Sequence, residues 1–209
     1  MEIPLSMDWR EEGVLNGVRN QEACNCCWCI TACTCCEAMY KIAHREQDLP
    51  WLSPQDIINC YFIHFGITPV FDKVRCYYGS INRAFRYIMT RGVLYEKDCP
   101  FVKKRGECIE RNENTKTFKI KGYHTIANGD EVMLLSHVSK HPVGCVIKIT
   151  DDFLNLEKGT IYMGSNRHIQ GSHAMVIVGY GEDNGINYWI MTEDMERSRE
   201  TRAEMVQER

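Results

Sequence analysis

Three residues, Cys27, Gln21 and His173, carry the chemistry legible in this chain. Cys27 is followed by Trp28, where the polar run Asn20-Gln21-Glu22 gives way to an apolar helical segment. A thiol at a helix start lies at the positive end of the helix dipole, which favours the thiolate, the form that attacks carbonyl carbon. Gln21, six residues earlier, offers a side-chain N–H to the charge that develops on the attacked oxygen, with the Cys27 backbone N–H as a second donor. His173, in Ser172-His173-Ala174-Met175, is a base able to hold the thiolate as an ion pair. A nucleophile, an oxyanion hole and a base are the parts of acyl transfer through a thioester.

Helices must hold the thiol, and strands the base. Residues 27–44 place Ile30, Cys33, Met39 and Ile42 at helical spacing and contain neither Gly nor Pro. Ser53-Pro54-Gln55-Asp56 is a helix start, with a serine cap, a proline in the first turn and an acid three residues beyond the cap. Ser80 opens another helix, with Ile81, Ala84, Phe85, Ile88 and Met89 on one face and Gly92 as its stop. The second half changes character. Segments 143–147, 159–163, 174–178 and 187–191 read as buried strands, with a turn at Asn184-Gly185 and one helix near 131–138. The expected class is α+β, with a helical half at 1–112, a β half at 113–192 and a charged tail at 193–209. That tail is free of glycine and reads as a solvated helix or a frayed end.

Composition narrows the function. At 209 residues and 44% apolar content the chain builds one or two cored domains. A net charge of −3 argues against a nucleic-acid partner, which wants a basic surface. No apolar run approaches the roughly 20 residues that cross a bilayer. Met1-Glu2-Ile3-Pro4 lacks the basic and apolar regions of a secretory leader. Of the 12 cysteines, seven crowd into residues 24–36. The pairs Cys24/Cys27, Cys26/Cys29 and Cys33/Cys36 have zinc-ligand or redox spacing, yet Cys29, Cys33 and Cys36 share one helical face, where small residues pack. We expect packing there, with no metal and no cofactor.

The segment Asn20-Gln21-Glu22-Ala23-Cys24-Asn25-Cys26-Cys27-Trp28 resembles the active-site segment of the papain-like cysteine proteases. The resemblance continues through Ile3-Pro4, Asp8-Trp9-Arg10, the helix from Ser53 to Cys60 and the run from His173-Ala174 to Val178-Gly179-Tyr180-Gly181. It covers residues 3 to about 192 and is closest to plant-type members with short loops. It implies a two-domain fold, a helical half and an antiparallel β-barrel-like half with the active-site cleft between them. It implies endopeptidase activity with Cys27 as nucleophile, His173 as base and Gln21 as oxyanion donor. Substrate contacts fall on Gly79, Trp28, Ala174, Val146 and Ser172. It pairs Cys24 with Cys76 and Cys60 with Cys108, leaves Cys99 and Cys145 free, and offers no counterpart for the family's third disulfide. Disulfides call for an oxidising compartment, so the location it implies is vacuolar, lysosomal or extracellular. The partners it implies are a polypeptide substrate and a pro-segment or cystatin-like protein inhibitor, acting on a monomer. Family members are made with a signal and an inhibitory pro-segment, and this chain starts where their mature part does.

Departures from the pattern keep other readings open. Where the family carries Asn-Ser-Trp-Gly after the Tyr188-Trp189-Ile190 strand, this chain has Glu193-Asp194-Met195-Glu196. The asparagine orients the imidazole, so Glu193 is the candidate in that role, as acids serve in other triads. Asn25 replaces a usual glycine, Cys26 a serine or alanine, and Cys76-Tyr77-Tyr78-Gly79 a glycine-rich segment that receives the peptide backbone. The alternatives are a catalytically impaired homologue that binds peptides or proteins, and a truncated gene product.

Overall fold

The computed structural model describes residues 3–67, 76–157, 160–165, 168–192 and 200–204. After a short strand β1 (Met7–Asp8), the first half is built on three helices, α1 (Cys27–Ala43), α2 (Pro54–His64) and α3 (Ile81–Thr90). Two start where the capping chemistry says they should. Ser53 Oγ accepts the Asp56 N–H at 3.1 Å, and Ser80 Oγ accepts that of Arg83 at 3.3 Å. The two cross-links implied by the resemblance, Cys24–Cys76 and Cys60–Cys108, are formed, and Cys99 and Cys145 are free thiols.

The helical core is apolar in the main. Cys26, Trp28, Cys29, Cys33 and Cys36 of the α1 region pack with Leu52, Ile57, Cys60, Tyr61, Tyr87 and Ile88. Two carboxylates sit inside it, both fully buried. Glu37 pairs with Arg19 at 2.8 Å and accepts the Leu52 N–H at 2.7 Å. Asp56 pairs with Arg111 and accepts from the Tyr87 hydroxyl and the Leu94 N–H, each at 3.2 Å. Each buried charge therefore has an ionic partner and a backbone donor, the condition under which burial is tolerated. The connection after residue 110 stays tied to this half, since Phe118 bridges Val93 and packs on the helical core.

The second half comprises α4 (Glu131–Val138), β2 (Val143–Thr150), the single turn α5 (Asp151–Leu154), β3 (Ile161–Tyr162), β4 (Ile169–Asp183), β5 (Ile186–Thr192) and β6 (Glu200–Glu204). Long β4 is the axis of an open six-stranded sheet. Its one edge takes β2 along residues 169–177 and then β1 at Gly179 and Tyr180, while its other edge takes β5. Glycine is required at 179 because a Cβ there would stand 2.1 Å from the Met7 carbonyl oxygen. One face of β4 packs Met175 and Ile177 with Val138, Phe153 and Trp189. The other turns Val176 and Val178 to Trp9, Val14, Cys35 and Ala38, so the N-terminal segment and α1 are clamped on the sheet.

One expectation is corrected. Part of the charged tail is strand, because residues 200–204 pair antiparallel with β5 and parallel with β3. The outer edge of β5 presents unpaired backbone groups, and any extended segment can satisfy them whatever its side chains.

Candidate active site

Cys27 is the first residue of α1, half-buried, with no side-chain cap from the adjoining Cys26. The capping is done from a distance. Gln21 Oε1 accepts the backbone N–H of Cys27 at 2.9 Å and that of Cys26 at 3.1 Å, which satisfies two donors that a helix start leaves open. The side chain is buried, so its carboxamide is fixed and its nitrogen faces away from those two bonds. The backbone donor expected for an oxyanion is therefore engaged with Gln21, and an attacked carbonyl oxygen has to share it.

Trp28, next along the helix, points the other way. Its indole N–H is shared between the carbonyls of Tyr77 and Asn25, at 3.0 and 3.1 Å. Gly79 lies on the same ring, where an added Cβ would come within 2.3 Å of Trp28 Cε2. The Cys24–Cys76 disulfide and the Trp28 hydrogen bond thus hold segment 76–79 against the start of α1. Tyr78, the large side chain next to Gly79, is 72% exposed and stands out in solvent. Asn25, at a position where the family uses glycine, is not among the residues with positive φ, so its backbone makes no demand for glycine.

His173 sits on β4 opposite Ile147 of β2 and is buried. Its neighbour Ala174 belongs to the same core cluster as Cys26 and Cys29, against which Cys27 packs. Helix α1 packs on β4. Val146 and Ala174 are cross-strand partners with opposite fates: Val146 is 60% exposed, Ala174 only 5%. The pair gives an open apolar wall with a sealed base. Ser172 is exposed at the end of the same run. Glu193 lies outside the described residues.

Behind the site is a cavity of about 270 Å³ between residues 15–19, Ile30, Thr31 and Thr34 of α1, and Ala174–Val176 and Thr192 of the sheet. Neither Cys27 nor Gly79 lines it, whereas Ala174 does. Burial pushes the thiols of Cys35 and Cys145 up to about 12, and those of Cys29, Cys33 and Cys36 well above the ordinary range. Cys29, Cys33, Cys35 and Cys36 are buried in the core, and Cys145 is half-buried beside the β-half core. Among the described residues no group of three or more His, Cys, Asp or Glu side chains is arranged to hold a metal ion.

Two supports of the site were not anticipated from sequence. The Arg19–Glu37 pair anchors the segment that leads into Gln21, with the Arg19 guanidinium 4.9 Å over the Trp51 ring. The available signal was Glu37 itself, a lone acid in the otherwise uncharged run 27–40. The second is an ion pair of Lys103 with Glu22, which ties loop 101–105 to the residue after Gln21. Both partners take positive φ, 59° and 49°, a conformation that no sequence pattern announced.

Comparison with known proteins identifies the family of this chain. The profile described as "Papain family cysteine protease" matches residues 3–198. The cysteine proteinase COT44 of Brassica napus is 32% identical over 194 residues, covering 91% of this chain and 55% of that protein. Macrodontain-1 of Ananas macrodontes is 32% identical over 190 residues, covering 90% and 81%. The chain spans about half the length of several such relatives. Among solved structures, the proform of the Amb a 11 cysteine protease, a ragweed pollen allergen, superposes with a TM-score of 0.81 at 26% identity, over 98% of this chain and 61% of that one. On a profile match that spans nearly all of it, the chain belongs to the papain family of cysteine proteases.

Proposed function

We propose that this chain is a cysteine-type endopeptidase with Cys27 as nucleophile and His173 as its acid–base partner. The observation that carries the reading is the seating of Cys27 as the first residue of α1, with the carboxamide of Gln21 fixed on its backbone N–H. The Cys27 thiolate attacks the scissile carbonyl carbon, and the oxygen takes the electron pair. Gln21 Nε2 and the shared Cys27 N–H receive that charge. The tetrahedral species collapses, the C–N bond breaks, and His173 gives its proton to the departing amine, leaving a thioester. Water then loses a proton to His173 and attacks the thioester, the C–S bond breaks, the acid is released, and the Cys27 thiolate and His173 imidazolium are restored. Gly79 receives the extended peptide backbone, and the wall of Val146 and Ala174 favours an apolar side chain.

In this reading Glu193 accepts the second ring N–H of His173. The two disulfides favour an oxidising compartment, so the expected location is vacuolar, lysosomal or extracellular. A relative solved as its proform supports a pro-segment as a partner, and a cystatin-like inhibitor would occupy the same cleft of a monomer. The test is turnover of an internally quenched peptide with an apolar residue before the cleaved bond. Hydrolysis that Cys27→Ala abolishes supports the proposal, and hydrolysis that survives Cys27→Ala refutes it.

A second reading, an impaired homologue that binds peptides, is favoured by the engagement of the Cys27 N–H with Gln21 and by the replacement of the orienting asparagine. It predicts saturable peptide binding without turnover.

A further inference from the structure

Three imidazoles gather around the C-terminal end of α4, away from the cleft. His137 lies in its last turn, and His141 follows one turn on. The His141 N–H donates to the His137 carbonyl at 3.0 Å, so the helical i, i+4 relation survives past the formal helix end. The rings of His137 and His141 stand 5.5 Å apart, and the His124 ring lies 6.0 Å from that of His137 at an interplanar angle of 24°. His124 is exposed and the other two are half-buried, so solutes reach all three.

The nitrogens are arranged for more than stacking. His141 Nδ1 is 3.0 Å from the Pro142 carbonyl oxygen, which can only accept, so the proton belongs on Nδ1 and Nε2 carries a lone pair. That Nε2 faces His137 Nδ1 at 3.4 Å. Two ligand nitrogens on one tetrahedral ion, with bonds of about 2.0–2.1 Å, stand about 3.3–3.4 Å apart. The Pro142 carbonyl is the kind of outer hydrogen bond that orients a metal-binding imidazole.

We propose that His137 and His141 form a chelate for a borderline divalent transition-metal ion such as Ni²⁺, Cu²⁺ or Zn²⁺, with His124 beside it as a third imidazole. Two donors already face one point, and water completes the shell. His124 enters by a side-chain rotation, in keeping with the lack of a closed three-ligand group among the described residues. Imidazole suits these ions better than calcium or magnesium. Without an ion, His137 Nδ1–H donates to His141 Nε2, so binding moves the His137 proton to its Nε2 and frees both facing nitrogens as ligands. The Lys140 ammonium, the nearest fixed positive charge, is drawn along the helix to Ser136 Oγ at 3.2 Å. The site bears on the fold through Val138, whose carbonyl takes the Trp9 indole N–H at 2.7 Å. An ion on the neighbouring His137 therefore stiffens the point where the N-terminal segment meets the β half, and stabilises the folded state by mass action.

The test uses Cys27→Ala protein, which removes the competing catalytic thiol, titrated calorimetrically with NiCl₂ at neutral pH. The expected result is saturable binding that raises the melting temperature. His137→Ala and His141→Ala each weaken it by about tenfold or more, at least the effect that losing an outer-shell partner has on a metal site. His124→Ala weakens it less. His141→Gln, which keeps a polar side chain at that surface, should melt like its parent without nickel and lose the nickel-induced rise. Affinity unchanged by both His137→Ala and His141→Ala overturns the proposal, as does the absence of any binding heat.

Discussion

The carboxamide oxygen of Gln21 stands 2.9 Å from the backbone nitrogen of Cys27 and accepts its N–H. One side chain therefore caps the start of α1 and, in the proposed reaction, serves through its other atom as the oxyanion donor. The two roles are separable. Gln21→Glu keeps an acceptor for the helix start and removes the donor, so its melting temperature should stay near that of the parent while kcat falls about 10²–10³-fold. Gln21→Ala removes both and should also cost about 1 kcal/mol of stability. Equal turnover in Gln21→Glu and the parent would show that Gln21 is only a cap.

Gly79 is held by the Trp28 ring, so Gly79→Ala forces either the ring or segment 76–79 to move. The overpacking should cost about 1–3 kcal/mol in urea unfolding. Displacement of Trp28 breaks its bonds to Tyr77 and Asn25 and shifts part of the tryptophan emission to longer wavelength. An unshifted spectrum with parental stability would contradict the packing described.

Asp56 is the hub of the helical half. Asp56→Ala leaves Arg111 without its carboxylate, and Tyr87 and Leu94 without an acceptor. Breaking a buried pair from one side costs about 3–5 kcal/mol, to be read as a lowered urea midpoint. Asp56→Asn, which keeps an oxygen acceptor, should cost less.

Buried thiols make the fold sensitive to alkali. Burial holds the thiols of Cys35 and Cys145 up at about 12, and Cys29, Cys33 and Cys36 well above the ordinary range. Their unfolded value is about 8.5, so the folded state binds these protons more tightly than the unfolded state. The stabilisation is fully present below about pH 8.5 and is lost as pH rises toward the folded values. Urea midpoints should hold level through neutrality and fall steadily above about pH 9. A midpoint that rises in that range would contradict the assignment.

Local chemistry made α2 and α3 legible, since Ser53 and Ser80 cap within three residues of themselves. The start of α1 was legible as a place for a thiol, but its cap was not, because Gln21 reaches it from across a loop. Strand β6 was invisible for a different reason. Its pairing is made by backbone groups, and Glu200-Thr201-Arg202-Ala203-Glu204 bears no apolar alternation. The residues of the site could be named from motif spacing, yet spacing says which donors exist and not where they point. The engaged N–H of Cys27 and the outward Tyr78 are orientations, set by neighbours far along the chain.

Activation of Cys27 by His173 is the centre of this account, and alkylation tests it directly. Brief treatment of the folded protein with iodoacetamide near neutral pH, followed by peptide mass mapping, should place the adduct on Cys27 well before Cys35, Cys145 or the other free thiols. His173→Ala should abolish that selectivity. Labelling spread evenly over the free cysteines, or undiminished at Cys27 in His173→Ala, would contradict it.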